Sequence, residues 1–243
     1  MTLIRNEVLK LRTVRSPWIL LLVAQLLIIV GASGPLVRGD LSTQNPAVGA
    51  VAHVGLLSML ALVFGILCVA MEYRHRTVTD TYLATPRRGR VIAAKLAVAT
   101  AAGVIFGVVG AITALLTTLA WLAGRGGSLD WDNPELWRTI GGDIAWNALF
   151  AAIGVGVAAL VRNLALAIVA ALAWIALVEG LIGQLVGSDV SRWLPFSAGT
   201  ALGRVPANLA DGLTQWGAAT VLATYAVAFA ITAVFVTVRR DVN

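Results

Sequence analysis

Six long apolar stretches govern what this chain can become. They occupy residues 18–37, 48–71, 96–122, 140–161, 164–185 and 216–238. Each is close to or above the roughly 20 residues a helix needs to cross the hydrocarbon core of a bilayer. Strands are excluded for these runs, because an open strand in lipid leaves its N–H and C=O groups unpaired, and the alternating pattern of a barrel is absent. Between the runs there is little polar sequence to cover a soluble globule. Only 12% of residues are charged, and the mean hydropathy is +0.87, whereas a soluble domain is nearer a quarter charged. The expected fold is therefore all-α: a polytopic membrane protein with six transmembrane helices, forming a single domain over residues 1–243.

Charge sets the expected orientation. Thirteen of the 18 Lys and Arg residues fall on one set of alternating segments: the N-terminus, residues 72–95, the short link at Arg162 and the tail at Arg239 and Arg240. The other set holds five: Arg38, Arg125, Arg138, Arg192 and Arg204. The positive-inside rule then places both termini in the cytoplasm of a multi-pass plasma-membrane protein. Trp121, Trp131, Trp137, Trp193 and Trp216 cluster at the opposite face, as an interfacial belt does. The same basic excess in so apolar a chain points to an anionic membrane leaflet rather than to nucleic acid.

Residues 1–34 admit two readings. A basic start, an apolar centre and "GASG" resemble a secretory signal, whose removal would leave five spans. Against it, Leu3, Ile4, Val8, Leu11, Val14 and Trp18 share one face of a helix, while Arg5, Lys10, Arg12 and Thr13 mostly face away. That pattern describes an amphipathic helix on the inner membrane surface.

Motifs for chemistry are absent. There is no GxxxxGK[ST] loop and no HExxH, so neither a Walker A nucleotide site nor a zinc-protease site is expected. Cys68 is the single cysteine and lies inside an apolar run, and His53 and His75 are far apart, so no metal site is expected. Glu179 is the one acid well inside a span, about 22 Å from the cytoplasmic start of its helix and past the midplane. It reads either as an acid near the outer interface, neutral or paired with an outer-loop Arg, or as a polar group on a translocation path. Gly103-xxx-Gly107, with Gly110 beyond, marks a close-packing face, within the subunit or between two subunits. Residues 186–215 contain "RWLPFSAGTALGRVP", in which Pro195 and Pro206 forbid one straight helix. A pair of short helices dipping into the outer leaflet is expected there, with a plain extracellular loop as the alternative.

Residues 72–95 are the other anomaly. Glu72 and Arg74 close the second span, and "RTVTDTYLAT" is expected to form a short helix with Thr77 and Asp80 in capping-box spacing, ended by Pro86 and Gly89. Arg87, Arg88, Arg90 and Lys95 then lead into the third span. Basic residues anchor an inner loop, but a bare link can be as short as Arg162–Asn163, so the length calls for a docking element.

At these residues the chain resembles the permease subunits of ABC-2-type ABC exporters. The resemblance rests on Glu72, Arg74, Thr77, "LATP" at residues 83–86, Arg90 and Lys95, together with "NEVLKLR" near the N-terminus and "WLP" before the last span. It implies that residues 72–95 carry a cytoplasmic coupling helix that docks on a separate ATP-binding subunit, with Glu72, Arg74, Thr77, Asp80, Pro86 and Arg90 as coupling residues. Glu7 and Arg12 belong to the interface helix, and residues 186–215 to an outer re-entrant hairpin. It further implies a second copy of this or a related permease, no cofactor on this chain, ATP and Mg in the partner subunit, and export of a hydrophobic or amphipathic substrate. The family often has Gly just before the Thr; here that residue is Arg76, which implies a less sharp break after the second span. Two other readings stand beside this one: a stand-alone secondary transporter or intramembrane enzyme, which needs acids or His at the midplane, and a membrane scaffold that moves nothing.

Overall fold

The computed structural model describes residues 2–38, 46–85, 87–205 and 212–239, and every regular element among them is helical. A short helix α1 (Thr2–Thr13) precedes the first span, α2 (Ser16–Arg38). The second span is composite: α3 (Pro46–Val51), a 3₁₀ segment (Ala52–Leu57) and α4 (Ser58–Arg74). After α5 (Val78–Ala84) come the third and fourth spans, α6 (Arg88–Gly124) and α7 (Pro134–Val161). The fifth span joins α8 (Leu164–Ala173), a π-helical turn (Trp174–Glu179) and α9 (Gly180–Leu185). Two short helices, α10 (Ser188–Ser191) and α11 (Pro195–Leu202), precede the sixth span, α12 (Gln215–Arg239). Six of these helical stretches are long and apolar enough to cross a membrane.

Several helices run past the apolar windows that reveal them. The third begins at Arg88 rather than at residue 96, so Arg88, Gly89, Arg90 and Lys95 are helical and Gly89 does not end the preceding helix. Hydropathy detects the part of a helix that lies in lipid; Arg and Lys are good helix formers and extend it beyond. The fourth starts six residues before its apolar window, where the Asn133 side chain accepts from the Glu135 N–H at 2.9 Å and Pro134 takes the first helical position. The first continues through Pro35 to Arg38, and its terminal carbonyls find a cation: Arg125 donates to the Leu36 carbonyl at 2.7 Å while stacking on Trp121.

Spans 2 and 4 form the centre, and spans 1, 5 and 6 are largely uncovered on their outer faces. The two central spans run parallel and press together through reciprocal glycines. A Cβ on Gly65 would strike the Ala151 carbonyl, and one on Gly154 would strike the Leu62 carbonyl. Gly103 and Gly107 of α6 likewise abut Asn147–Ala148 and Ile144 of α7, and Gly110 abuts Val54 and Leu57. The small-residue stripe of the third span is thus a packing face within the subunit. Without a hydrophobic driving force between helices in lipid, such close backbone approach supplies the dispersion contact that holds them.

Part of the segment between spans 5 and 6 packs into the bundle. Residues Ala198–Leu202 of α11 are buried against spans 4 and 6, and Phe196 packs edge-on to the fully buried Trp146 at 5.5 Å between ring centroids. The expected Pro206 break lies outside the described residues. Trp131, Trp137, Trp193 and Trp216 are exposed at this end of the bundle.

Candidate functional site: the base of the α5 loop

The junction after span 2 is a complete Schellman turn. The Thr77 N–H donates to the Glu72 carbonyl at 3.0 Å and the Arg76 N–H to the Tyr73 carbonyl at 3.3 Å. This closure requires a left-handed residue, and Arg76 supplies it with φ 58°. The expectation of a less sharp break is therefore corrected: Arg76 adopts the conformation in which glycine is at ease, at a cost of about 1 kcal/mol. The chain then enters α5 from helical angles at Thr77 (φ −87°, ψ −4°), and the Thr77 side chain makes no capping bond. The expected capping box does not form, because a cap residue reaches the first turn from extended angles. At the far end Thr85 is extended (φ −139°, ψ 89°), as the residue before a proline must be; Pro86 itself lies outside the described residues.

Below this turn four charged side chains from three elements converge. Lys95 of α6, only 2% exposed, donates to Glu7 at 2.9 Å, to Glu72 at 2.7 Å and to the Cys68 carbonyl at 3.0 Å. Lys10 closes the square, 2.7 Å from Glu7 and 2.6 Å from Glu72. Two carboxylates and two ammonium groups balance in charge, which is what allows them to be buried together. Partial burial pulls the Lys10 ammonium down, but its contacts with Glu7 and Glu72 outweigh this and hold its pKa above the ordinary lysine value. The cluster forms one wall of a cavity of about 390 Å³ between α1 and span 2, otherwise lined by groups such as Phe64, Leu67 and Met71.

Two further ties fasten the loop. Arg88 donates to the Thr237 carbonyl of α12 at 3.1 Å and lies over the Tyr82 ring of α5 at 5.3 Å. Burial pushes the Tyr82 phenol above its ordinary value. Arg162, left-handed at the end of α7, lies over Tyr73 at 5.8 Å. The outer surface of α5 is bare: Leu83 is 77% exposed, and Asp80 and Thr79 are exposed beside it.

The residues singled out from sequence therefore separate. Glu7 and Glu72 meet in the buried cluster, while Arg12, Arg74, Thr77, Asp80 and Arg90 remain at the surface and make no common site. Lys10 and Lys95 are the members whose place in the cluster the sequence did not reveal, although Lys95 is among the residues that carry the family resemblance. Lys95 sits directly before the apolar run, where it reads as a boundary charge, and Lys10 lies on the polar face of α1. Glu179 is 5% exposed and lies far from this site. Among the described residues it is not paired with an outer-loop Arg. Its carboxylate accepts from the Phe196 N–H at 2.9 Å and the Ser197 N–H at 3.1 Å, capping the first turn of α11.

A family model described as ABC-2 family transporter protein matches residues 3–183, which takes in α1, the ion cluster, the α5 loop and the first five spans. The chain belongs to the ABC-2 transporter family. A comparison with curated proteins found no match. As an ABC-2 transporter it is a multi-pass transport protein of the membrane, with its six apolar helices as the spanning elements. Within the match, Glu7 and Glu72 lie 65 positions apart and are joined by one lysine of the third span.

Proposed function

We propose that this chain is the membrane subunit of an ATP-driven exporter, working as a pair with a second permease and two copies of a separate ATP-binding subunit. The observation that carries the reading is the mechanical state of α5. It is a short helix with a bare apolar tip at Leu83, held between spans 2 and 3 by a braced base. A loop needed only to join two helices has no reason to expose a leucine and anchor it with a buried ion cluster. In the proposed cycle ATP and Mg act in the partner. Closure of the ATPase pair pushes on α5, and Arg74, Thr77, Asp80 and Arg90 are the polar contacts around Leu83. The push passes through the Schellman turn to span 2 and through Lys95 to span 3 and α1.

In this reading α1 lies on the inner leaflet, the termini are cytoplasmic, and α10–α11 form a re-entrant hairpin at the outer gate. A mostly apolar cavity of about 350 Å³ between spans 4, 5 and 6, bordered by Phe150, Trp174, Tyr225 and Phe229 and with Glu179 in its lining, supports a hydrophobic or amphipathic cargo and keeps Glu179 as a candidate on the translocation path.

Co-expression with the ATP-binding subunits encoded beside it tests the proposal. The wild type is expected to co-purify with one of them and Leu83→Asp to lose it while keeping the same melting temperature. ATP-dependent movement of an amphipathic dye in reconstituted vesicles then separates an exporter from a scaffold. Equal co-purification of wild type and Leu83→Asp, or no partner at all, overturns the docking role.

A further inference from the structure

Asp143 of α7, the most deeply buried acid among the described residues, takes no part in the ion cluster. It has no exposed surface, and neither carboxylate oxygen has a hydrogen-bond partner among the described residues. Its position is a three-way joint. A Cβ on Gly55 of the 3₁₀ segment would stand 2.6 Å from Asp143 Oδ1, and one on Gly203, at the end of α11, would strike the same atom. The carboxyl is thus clasped between span 2, span 4 and the outer hairpin, and both glycines are needed to admit it.

On the adjoining turns other buried oxygens also lack partners among the described residues. Asn147, one turn further along α7, spends its amide on the Asp143 and Val54 carbonyls at 2.8 and 3.1 Å, leaving Oδ1 unbonded. Ser58, one turn beyond Val54, and Thr139, one turn before Asp143, carry hydroxyls that are equally unbonded. Among the described residues no charged group is paired with the carboxyl. From span 2, His53 turns to Gly31 and to the Gly49 carbonyl. On α7 itself Glu135 pairs with Arg204 two turns outward. On the neighbouring turns of α7, α6 places Gly107 against Ile144 and Gly103 against Asn147 and Ala148, α11 carries no titratable residue, and α12 begins with the neutral Gln215. An ionised carboxylate in such a place is too costly to stand alone.

We infer that Asp143 is a binding site for one positive charge, a proton or an alkali cation, at the joint of spans 2 and 4 with the outer hairpin. The single carboxylate matches a monovalent charge, and amide and hydroxyl oxygens are the hard ligands such an ion takes. Because Gly203 closes over Oδ1, charge can enter or leave only when the end of α11 draws away from α7. Occupancy of the site and the position of the hairpin are therefore linked, whatever cargo the protein carries.

Melting of the full chain in lipid nanodiscs, wild type against Asp143→Asn, tests this in two series. In the first, pH is raised from about 5 to about 9 in choline buffer. In the second, sodium or potassium replaces choline, from about 1 to about 100 mM at fixed pH, where a millimolar site raises the wild-type melting temperature by about 5 °C. A proton site makes the wild type lose stability relative to Asp143→Asn as pH rises, with no response to alkali ions. A cation site gives the alkali-dependent rise in the wild type alone. Parallel curves for the two proteins in both series overturn the inference. Should Asp143→Asn fail to fold, an apolar carbodiimide applied to the wild type keeps the question open to refutation. Labelling mapped to Asp143 must fall with rising pH or with added alkali ion; constant labelling, or none, across both series refutes the site.

Discussion

Replacing Lys95 with Met removes the one fully buried ammonium from the base of the α5 loop. Its Nζ makes three contacts of 2.7 to 3.0 Å, to Glu72, Glu7 and the Cys68 carbonyl. After the change, two nearly buried carboxylates share only Lys10, whose side chain is 45% exposed. Breaking a buried pair by removing one partner costs about 3–5 kcal/mol, chiefly because a charge is left unpaired. With partial compensation from Lys10 the lower figure applies, which is a fall of roughly 10 °C in melting temperature for a chain of this size. Lys10→Met is the control. It removes a solvent-screened partner of the same carboxylates and is expected to cost under about 1 kcal/mol. The triple change Lys95→Met, Glu7→Gln and Glu72→Gln leaves no unpaired charge and is expected to recover more than half of the loss. Melting in detergent or nanodiscs, with hydrogen exchange across α1 and α5, gives the readout. Equal losses in Lys95→Met and Lys10→Met, or a triple variant no better than Lys95→Met, would refute the claim that a buried, charge-balanced cluster braces the loop.

Arg76→Gly relieves the left-handed strain of the Schellman turn and is expected to raise stability by about 1 kcal/mol, whereas Arg76→Val lowers it; chemical denaturation ranks the three. Gly154→Ala drives a methyl into the Leu62 carbonyl and is expected to cost about 2 kcal/mol or more, while Gly180→Ala, with open space around it, is neutral or stabilising in the same melt. Glu179→Gln weakens the cap on α11 by about 1–2 kcal/mol, seen as faster hydrogen exchange at Phe196 and Ser197 than at Ala198–Leu202. Lys10 has its pKa raised and Tyr82 is held neutral by burial, so both support the fold in their protonated forms. Their contribution is present below the ordinary values and lost above them, and the melting temperature is expected to fall as pH rises beyond about 10.

The α5 loop shows where sequence reading ends. Its short helix was foreseeable from length and charge, and Glu72 and Glu7 were both singled out. Their meeting was not, because nothing in a linear pattern says that α1 folds back against spans 2 and 3. Lys95 was visible as a match to the family and as a basic flank, but not as a cluster member, since a lysine at the edge of an apolar run snorkels outward as readily as it turns in. Arg76 misled for a related reason: propensity disfavours a left-handed arginine, but a hydrogen-bonded turn fixed at both ends overrides about 1 kcal/mol of strain. Asp143 lies three residues into the apolar window that starts at residue 140, a position that reads as a helix start; the helix begins six residues earlier and carries it to the buried joint.

What the sequence determined alone is the helical class, the six spans and the uneven charge between the two sets of segments. These follow from the bilayer's demand that every backbone group be paired within its own segment, a local condition that composition can report. The tertiary structure decided the rest. Glycine stripes chose which helices touch, and those contacts chose which charges would be buried together at Lys95 and which would be left alone at Asp143. Such pairing depends on the register between distant helices, where a shift of one residue turns a side chain about 100° around the axis, and no single segment encodes it.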